Sequence, residues 1–264
     1  MTYTRLPTSP DHLPTFDSRP THSHPTHSHP TSRRARERAV VLGATAALAA
    51  GGFGALARAS ATRETAAIDE AVLDKTAPDP ESPVRKTAHA LAPVGKWFTY
   101  VPAAFGVAAY LLATNGRSST DDRMGVRRGS AARTRNRAAG AGAIVVASGL
   151  AYVLSRAFDR WLPQPPAPPG HEDRDKPVFP SGHTFGPSAV GITAAYVLSA
   201  EGDARARIAA PVAVALPALL GGTRMIDERH WLSDVAGGLL GGICVASVCL
   251  TGFELVGDYR DRDG

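Results

Sequence analysis

Two short clusters carry residue types able to do chemistry. The first is Thr223-Arg224-Met225-Ile226-Asp227-Glu228-Arg229-His230-Trp231-Leu232-Ser233-Asp234. His230 and Asp234 are four residues apart, so a helix from Trp231 onward puts both on one face. A carboxylate there holds one ring nitrogen protonated and leaves the other free to attack. The second cluster is Phe179-Pro180-Ser181-Gly182-His183, immediately before an apolar run. A helix starting at Gly182 offers free N–H groups and a dipole that favour an anion. His183 beside such a cradle can give a proton to a leaving oxygen. Each cluster also has a plainer reading. Pro-Ser-Gly suits a simple helix start, and the His230 segment suits a solvated polar turn.

The elements that must position these residues follow from charge segregation. The chain has 264 residues, 44% apolar and 20% charged, with a mean hydropathy of −0.10 that would suit a soluble protein. Yet Ala39–Ala57, Trp97–Gly116, Ala138–Ser155, Pro177–Ala200, Ile208–Thr223 and Val235–Phe253 hold no Asp, Glu, Lys or Arg. They run 19, 20, 18, 24, 16 and 19 residues, and a bilayer-spanning helix needs about 17–25. Six in series exclude an ordinary soluble domain.

The remaining composition narrows the class further. Cys244 and Cys249 both lie in the last apolar stretch, which leaves no disulfide framework and no Cys-based zinc site. The net charge of +5 comes from arginines beside apolar runs and does not point to nucleic acid. No signal peptide is expected, because the first apolar run begins only at Ala39. Residues 1–38 are expected to form a disordered His/Pro/Thr-rich tail with a basic end, including the near-repeat Thr21–Pro25 and Thr26–Pro30. Under alternating topology the inside segments carry 17 Lys/Arg and the outside loops 12. Arg33, Arg34, Arg36 and Arg38, and the seven arginines from Arg117 to Arg137, fall on the cytoplasmic side by the positive-inside rule. Both termini are then cytoplasmic, with 256–264 a short tail, and both histidine clusters share the other face. Small residues such as Gly238 and Gly242 let helices approach closely in lipid.

With motifs and layout in place, the chain resembles the type-2 phosphatidic acid phosphatases, relatives of the vanadium haloperoxidases. That family's signature is Lys-x6-Arg-Pro, then Pro-Ser-Gly-His, then Ser-Arg-x5-His-x3-Asp. Pro180–His183 matches the second part, and Arg224, His230 and Asp234 match the third with Thr223 for Ser. The resemblance implies an all-α polytopic membrane protein of six transmembrane helices, with a phosphatase type 2/haloperoxidase-like core over residues 39–255. It implies His230 as the nucleophile forming a phosphohistidine, Asp234 as its orienter and His183 as the acid for the leaving group. Arg224, Ser181 and the Gly182 N–H would bind phosphate oxygens. No metal and no cofactor are implied. The substrate would be a lipid phosphate or polyprenyl (di)phosphate presented by membrane lipids.

The first part of the signature is broken. Ser155 stands at the Lys position and Leu162, before Pro163, at the Arg position. Arg160 is the first choice to supply a missing cation, Arg156 the second and Lys176 the third. The same arginines also read as interfacial anchors whose heads reach water. The rival to an enzyme is a weakened family member that binds lipid phosphates or scaffolds partners. A haloperoxidase suits six spans poorly, and a transport path would place charges at mid-membrane.

Overall fold

The computed structural model describes residues 30–114 and 127–262, and all regular elements among them are helices. They are α1 (Pro30–Ala61), α2 (Ala66–Thr76), α3 (Pro83–Ala90), a 3-10 turn (Ala92–Gly95), α4 (Trp97–Ala113), α5 (Arg127–Trp161), α6 (Gly182–Ala200), α7 (Ala206–Ile226) and α8 (Leu232–Arg262). The His-rich repeat as far as His29, and residues 115–126, which include the first part of the arginine-rich segment, lie outside the described residues.

Each of the six charge-free stretches falls mainly within one helix. Four helical segments, Arg33–Ala61, Thr134–Trp161, Ala206–Ile226 and Leu232–Gly257, are long and apolar enough to cross a bilayer. The other two fall short of that measure. α4 is apolar but has 17 residues, and α6 begins with His183, Thr184, Gly186 and Ser188 among its apolar positions. Three boundaries move relative to the sequence reading. The expected tail 1–38 is helical from Pro30, so Arg33 to Arg38 sit on α1. The expected tail 256–264 is helical through Arg262. Pro177–Ser181 precedes α6 in non-helical conformation, because Pro180 cannot supply an N–H to an earlier turn.

α6 is the central helix, flanked by α4, α5, α7 and α8, while α1 lies along α8. Its Phe185, Ala189, Val190 and Val197 meet Ile144, Ala147, Val245 and Leu250 in the main core. Around the outside, Val40, Leu48, Val153, Ile208, Val214 and Val248 are exposed, an apolar belt suited to lipid. Gly238 and Gly242 are used within the chain. A Cβ on Gly238 would fall 2.5 Å from the Ser181 carbonyl oxygen, and one on Gly242 2.7 Å from that of Phe185. The small-residue pair therefore seats α8 against the start of α6.

Ion pairs lock the end of the bundle remote from the clusters. Glu254 accepts Arg38 at 3.0 Å and the Tyr196 hydroxyl at 2.7 Å, and Glu201 accepts Arg137 at 3.1 Å. At the other end, residues 62–96 form a small helical cap, where the sequence reading has only a long loop. Ser82 caps α3 by accepting the Arg85 N–H at 3.2 Å, with Pro83 opening the helix. Asp69 of α2 is buried and accepts both the Ser233 backbone N–H (2.9 Å) and its hydroxyl (2.8 Å). The cap is thereby tied to the first turn of α8.

Candidate active site

The loop between α7 and α8 is short and fully specified by hydrogen bonds. α7 closes with the Glu228 N–H on Met225 O (2.9 Å) and the Arg229 N–H on Arg224 O (2.8 Å), the paired bonds of a Schellman motif. Glu228 takes the left-handed φ of 52° that this motif requires. Its side chain is held by Arg85 of the cap at 2.6 Å. Four residues after Glu228 α8 begins, and Asp234 Oδ2 accepts the Trp231 N–H at 2.8 Å, the back-reaching half of a capping box. The same oxygen lies 3.5 Å from His230 Nδ1.

The start of α6 docks on the start of α8. The Ser181 N–H donates to Asp234 O at 2.9 Å, and Thr184 Oγ1 donates to Val235 O at 3.2 Å. Upstream, Phe179–Pro180 is a cis peptide, and the Gln164 amide holds Val178 N (3.0 Å), Phe179 N (2.9 Å) and Phe179 O (3.0 Å). Ser181 occupies the N-cap position but makes no capping bond, so the simple helix-start reading of Pro-Ser-Gly leaves its hydroxyl unexplained. His183, in the first turn, has its ring centroid 6.1 Å from that of His230. Its Nε2 bonds to Ala92 O of the cap at 3.1 Å.

Arg224, in the last turn of α7, is buried. Its Nη2 donates to Ala88 O at 2.7 Å and its Nη1 pairs with Asp227 at 3.1 Å. Asp227 also takes His89 at 3.3 Å and Arg229 at 3.6 Å. Of the five buried side-chain polar atoms without a hydrogen-bond partner among the described residues, four belong here: Ser181 Oγ, Arg224 Nε, His230 Nδ1 and Asp234 Oδ1. Such a concentration of unpaired groups marks a site rather than a packed core.

These groups border a cavity of about 850 Å³ whose lining includes Gly182, His183, Arg224 and His230. Burial, reinforced by the Arg224 guanidinium, pushes the His230 imidazole down to about 4. The ring is therefore neutral near pH 7, the state that attacks an electrophile.

The sequence candidates are sorted by this geometry. His230, His183, Arg224 and Gly182 line the cavity, with Ser181 and Asp234 buried directly behind. Arg156 and Lys176 also line it. Arg160, the first choice for the missing cation, is exposed and does not. It stands one helical turn beyond Arg156, about 6 Å further along the axis. Sequence reading missed Lys96, Asp227 and Asp69, and the carbonyls of Ala88 and Ala92. Backbone carbonyls have no residue signature, and the three side chains sit among many charges of polar loops. Among the described residues no group of three or more His, Cys, Asp or Glu is arranged to hold a metal ion.

Comparisons with known proteins bear on the family and the fold. Residues 137–257 match the model of the PAP2 superfamily. No curated protein sequence matches the chain. The fold is similar to the crystal structure of a transmembrane PAP2 type phosphatidylglycerolphosphate phosphatase from Bacillus subtilis, with a TM-score of 0.61 and 19% identity over 80% of this chain and 96% of that one. Both motifs that carry the cluster fall inside residues 137–257, the span that is similar to the PAP2 superfamily, and the fold around them is similar to that of a membrane PAP2 type phosphatase.

Proposed function

We propose that the chain hydrolyses a lipid phosphate or polyprenyl (di)phosphate through a phosphohistidine. The observation that carries this reading is the approach of His230 to Asp234, 3.5 Å apart, on a cavity shared with His183 and Arg224. Asp234, 3.5 Å away, would orient Nδ1 of His230, and the other ring nitrogen attacks phosphorus and forms the N–P bond. His183 gives a proton to the leaving oxygen as the P–O bond breaks, then takes one from the water that cleaves the N–P bond. Arg224, Ser181 Oγ and the Gly182 N–H hold the equatorial oxygens, where charge gathers. Arginine and lysine side chains take the part that a divalent ion plays elsewhere, so the reaction runs without metal or cofactor.

The long apolar helices support a substrate whose tail lies in lipid. In this reading α1, α4, α5, α6, α7 and α8 are the six spans of a membrane domain covering residues 39–255, in a cell membrane. Both termini are cytoplasmic, and the cavity opens on the opposite face at the lipid boundary. Phosphatidic acid, phosphatidylglycerol phosphate, polyprenyl diphosphates and lipid-linked sugar phosphates all fit a tail in the bilayer and a phosphate in the cavity. Purified protein in detergent, assayed for phosphate release across that panel, tests the proposal. Ser155 and Leu162, in place of the first motif's cations, favour a second reading as a non-enzymatic lipid-phosphate-binding or scaffold protein. That reading expects binding without release in the same assay.

A further inference from the structure

The cap contributes more to the cavity than a wall. Ala92–Gly95 form a single 3-10 turn closed by Val94 N–H on Leu91 O (3.1 Å) and Lys96 N–H on Pro93 O (3.2 Å). The Thr99 hydroxyl braces it from α4 by donating to Pro93 O at 2.9 Å. The turn meets His183 at two points. Its Ala92 carbonyl bonds to Nε2 at 3.1 Å. Gly95 lies so close that a Cβ there would fall 2.7 Å from His183 Cδ2 and 3.0 Å from its Cα. Any side chain at position 95 must displace the imidazole or the start of α6. The turn lies outside residues 137–257, the span matched by the superfamily.

We propose that the Ala92–Gly95 turn positions His183 as the general acid, anchoring Nε2 on a carbonyl so that Nδ1 delivers the proton. The inference rests on the reading of His183 given above. A carbonyl only accepts, so Nε2 stays an N–H whether the ring is neutral or charged. The exchangeable proton is then confined to Nδ1. In the first step the His183 Nδ1–H proton passes to the bridging oxygen while the P–O bond breaks and the His230 N–P bond forms. In the second, Nδ1 accepts a proton from water as its oxygen attacks phosphorus and the N–P bond breaks. Proton transfer needs heavy atoms within about 2.6–3.2 Å, so a ring displaced by a few tenths of an ångström loses efficiency without losing the site.

Gly95→Ala tests this, with Thr99→Val as a milder loosening of the same turn and His183→Ala as the reference. Each full-length protein is purified in detergent and assayed on phosphatidic acid and on p-nitrophenyl phosphate. The alkoxide leaving group of the first needs a proton, and the nitrophenolate of the second does not. His183→Ala is expected to lose roughly 10²–10⁴-fold on phosphatidic acid and far less on p-nitrophenyl phosphate. Gly95→Ala is expected to show the same selectivity at about 10-fold, in kcat more than KM, and Thr99→Val a smaller loss in the same direction. Equal losses on both substrates, or none, for Gly95→Ala and Thr99→Val overturn the positioning role. If His183→Ala itself fails to separate the two substrates, or the parent cleaves neither, the reading of His183 or of the enzyme fails instead. Nitrogen-15 spectra of histidine-labelled parent, with the His183 signals assigned by their loss in His183→Ala, check the anchor independently of activity. The Nε2–H tautomer is expected, and a dominant Nδ1–H tautomer overturns it.

Discussion

The carboxylate of Asp234 stands 3.5 Å from Nδ1 of His230, across the junction where α8 begins. The oxygen concerned also accepts the Trp231 backbone N–H at 2.8 Å, so one atom both starts a helix and faces the proposed nucleophile. The two tasks separate on substitution. Asn keeps an acceptor for Trp231 but not the negative charge, and Ala keeps neither. Asp234→Asn is expected to unfold like the parent in detergent while turning over roughly 10²–10⁴-fold more slowly. Asp234→Ala should also lose about 1 kcal/mol of stability with the cap. His230→Ala should abolish trapping of an acid-labile phosphoenzyme. A phosphoenzyme persisting in that variant would move the nucleophile elsewhere.

The depressed His230 has a consequence for stability against pH. Burial lowers the imidazole from 6.5 to about 4, so between those values the unfolded chain binds more protons than the folded one. Stability is therefore complete above about pH 6.5 and is lost as pH falls toward 4. The loss is of order 1–3 kcal/mol at about 1.36 kcal/mol per pH unit. Thermal unfolding of the parent between pH 7 and 4.5 should drop more steeply than that of His230→Gln. Parallel curves would mean that His230 is protonated freely in the folded protein.

How far the site was readable from sequence depended on whether its contacts are local. The pairing of His230 with Asp234 is a relation four residues long, and helical geometry alone brings the two together. The convergence of His183 with His230 followed from counting spans. The support beneath them is non-local and much of it is backbone. Arg224 is tied to Ala88 O and His183 to Ala92 O, and nothing about an alanine announces that its carbonyl will hold a side chain of the cavity. Asp69 reads in sequence as one more acid in a polar loop, but it is buried against Ser233. Arg160 is favoured in sequence because a long side chain just past the third apolar stretch can reach back toward the site, whereas the cavity is reached from Arg156, one turn earlier on α5.

Topology is testable with single cysteines in a background lacking Cys244 and Cys249. The exposed Asp175 serves as the outer reporter, and Ala204, exposed between α6 and α7, as the inner one. Asp175→Cys is expected to react with an impermeant thiol reagent in intact cells, and Ala204→Cys only after lysis. The reverse pattern would put the cavity on the cytoplasmic face.

The broken first motif leaves the question of which cations neutralise the substrate. Arg224 is shared with Asp227 at 3.1 Å, so a bound phosphate with up to two negative charges needs more positive charge nearby. Lys96, Arg156 and Lys176 line the cavity and Arg160 does not. Arg156 is partly engaged, 3.8 Å from Asp159, while Lys96 and Lys176 make no ion pair with any described residue. Lys96→Ala, Lys176→Ala and Arg156→Ala are each expected to lower kcat/KM by roughly 3- to 30-fold. That is less than a buried charge-assisted contact would give, because solvent screens side chains at the rim. Arg160→Ala should stay near the parental value. Restoring the family cations should favour position 155 over position 162. Ser155 lines the cavity, with its Oγ 3.6 Å from where a Cβ on Gly182 would lie, whereas Leu162 does not line it. Ser155→Lys is therefore expected to match or exceed the parent, with Leu162→Arg adding less. Parental rates in all three alanine variants alongside a loss in Arg160→Ala would reverse this ordering. A parent that releases no phosphate, while Ser155→Lys with Leu162→Arg does, would decide for the non-enzymatic reading.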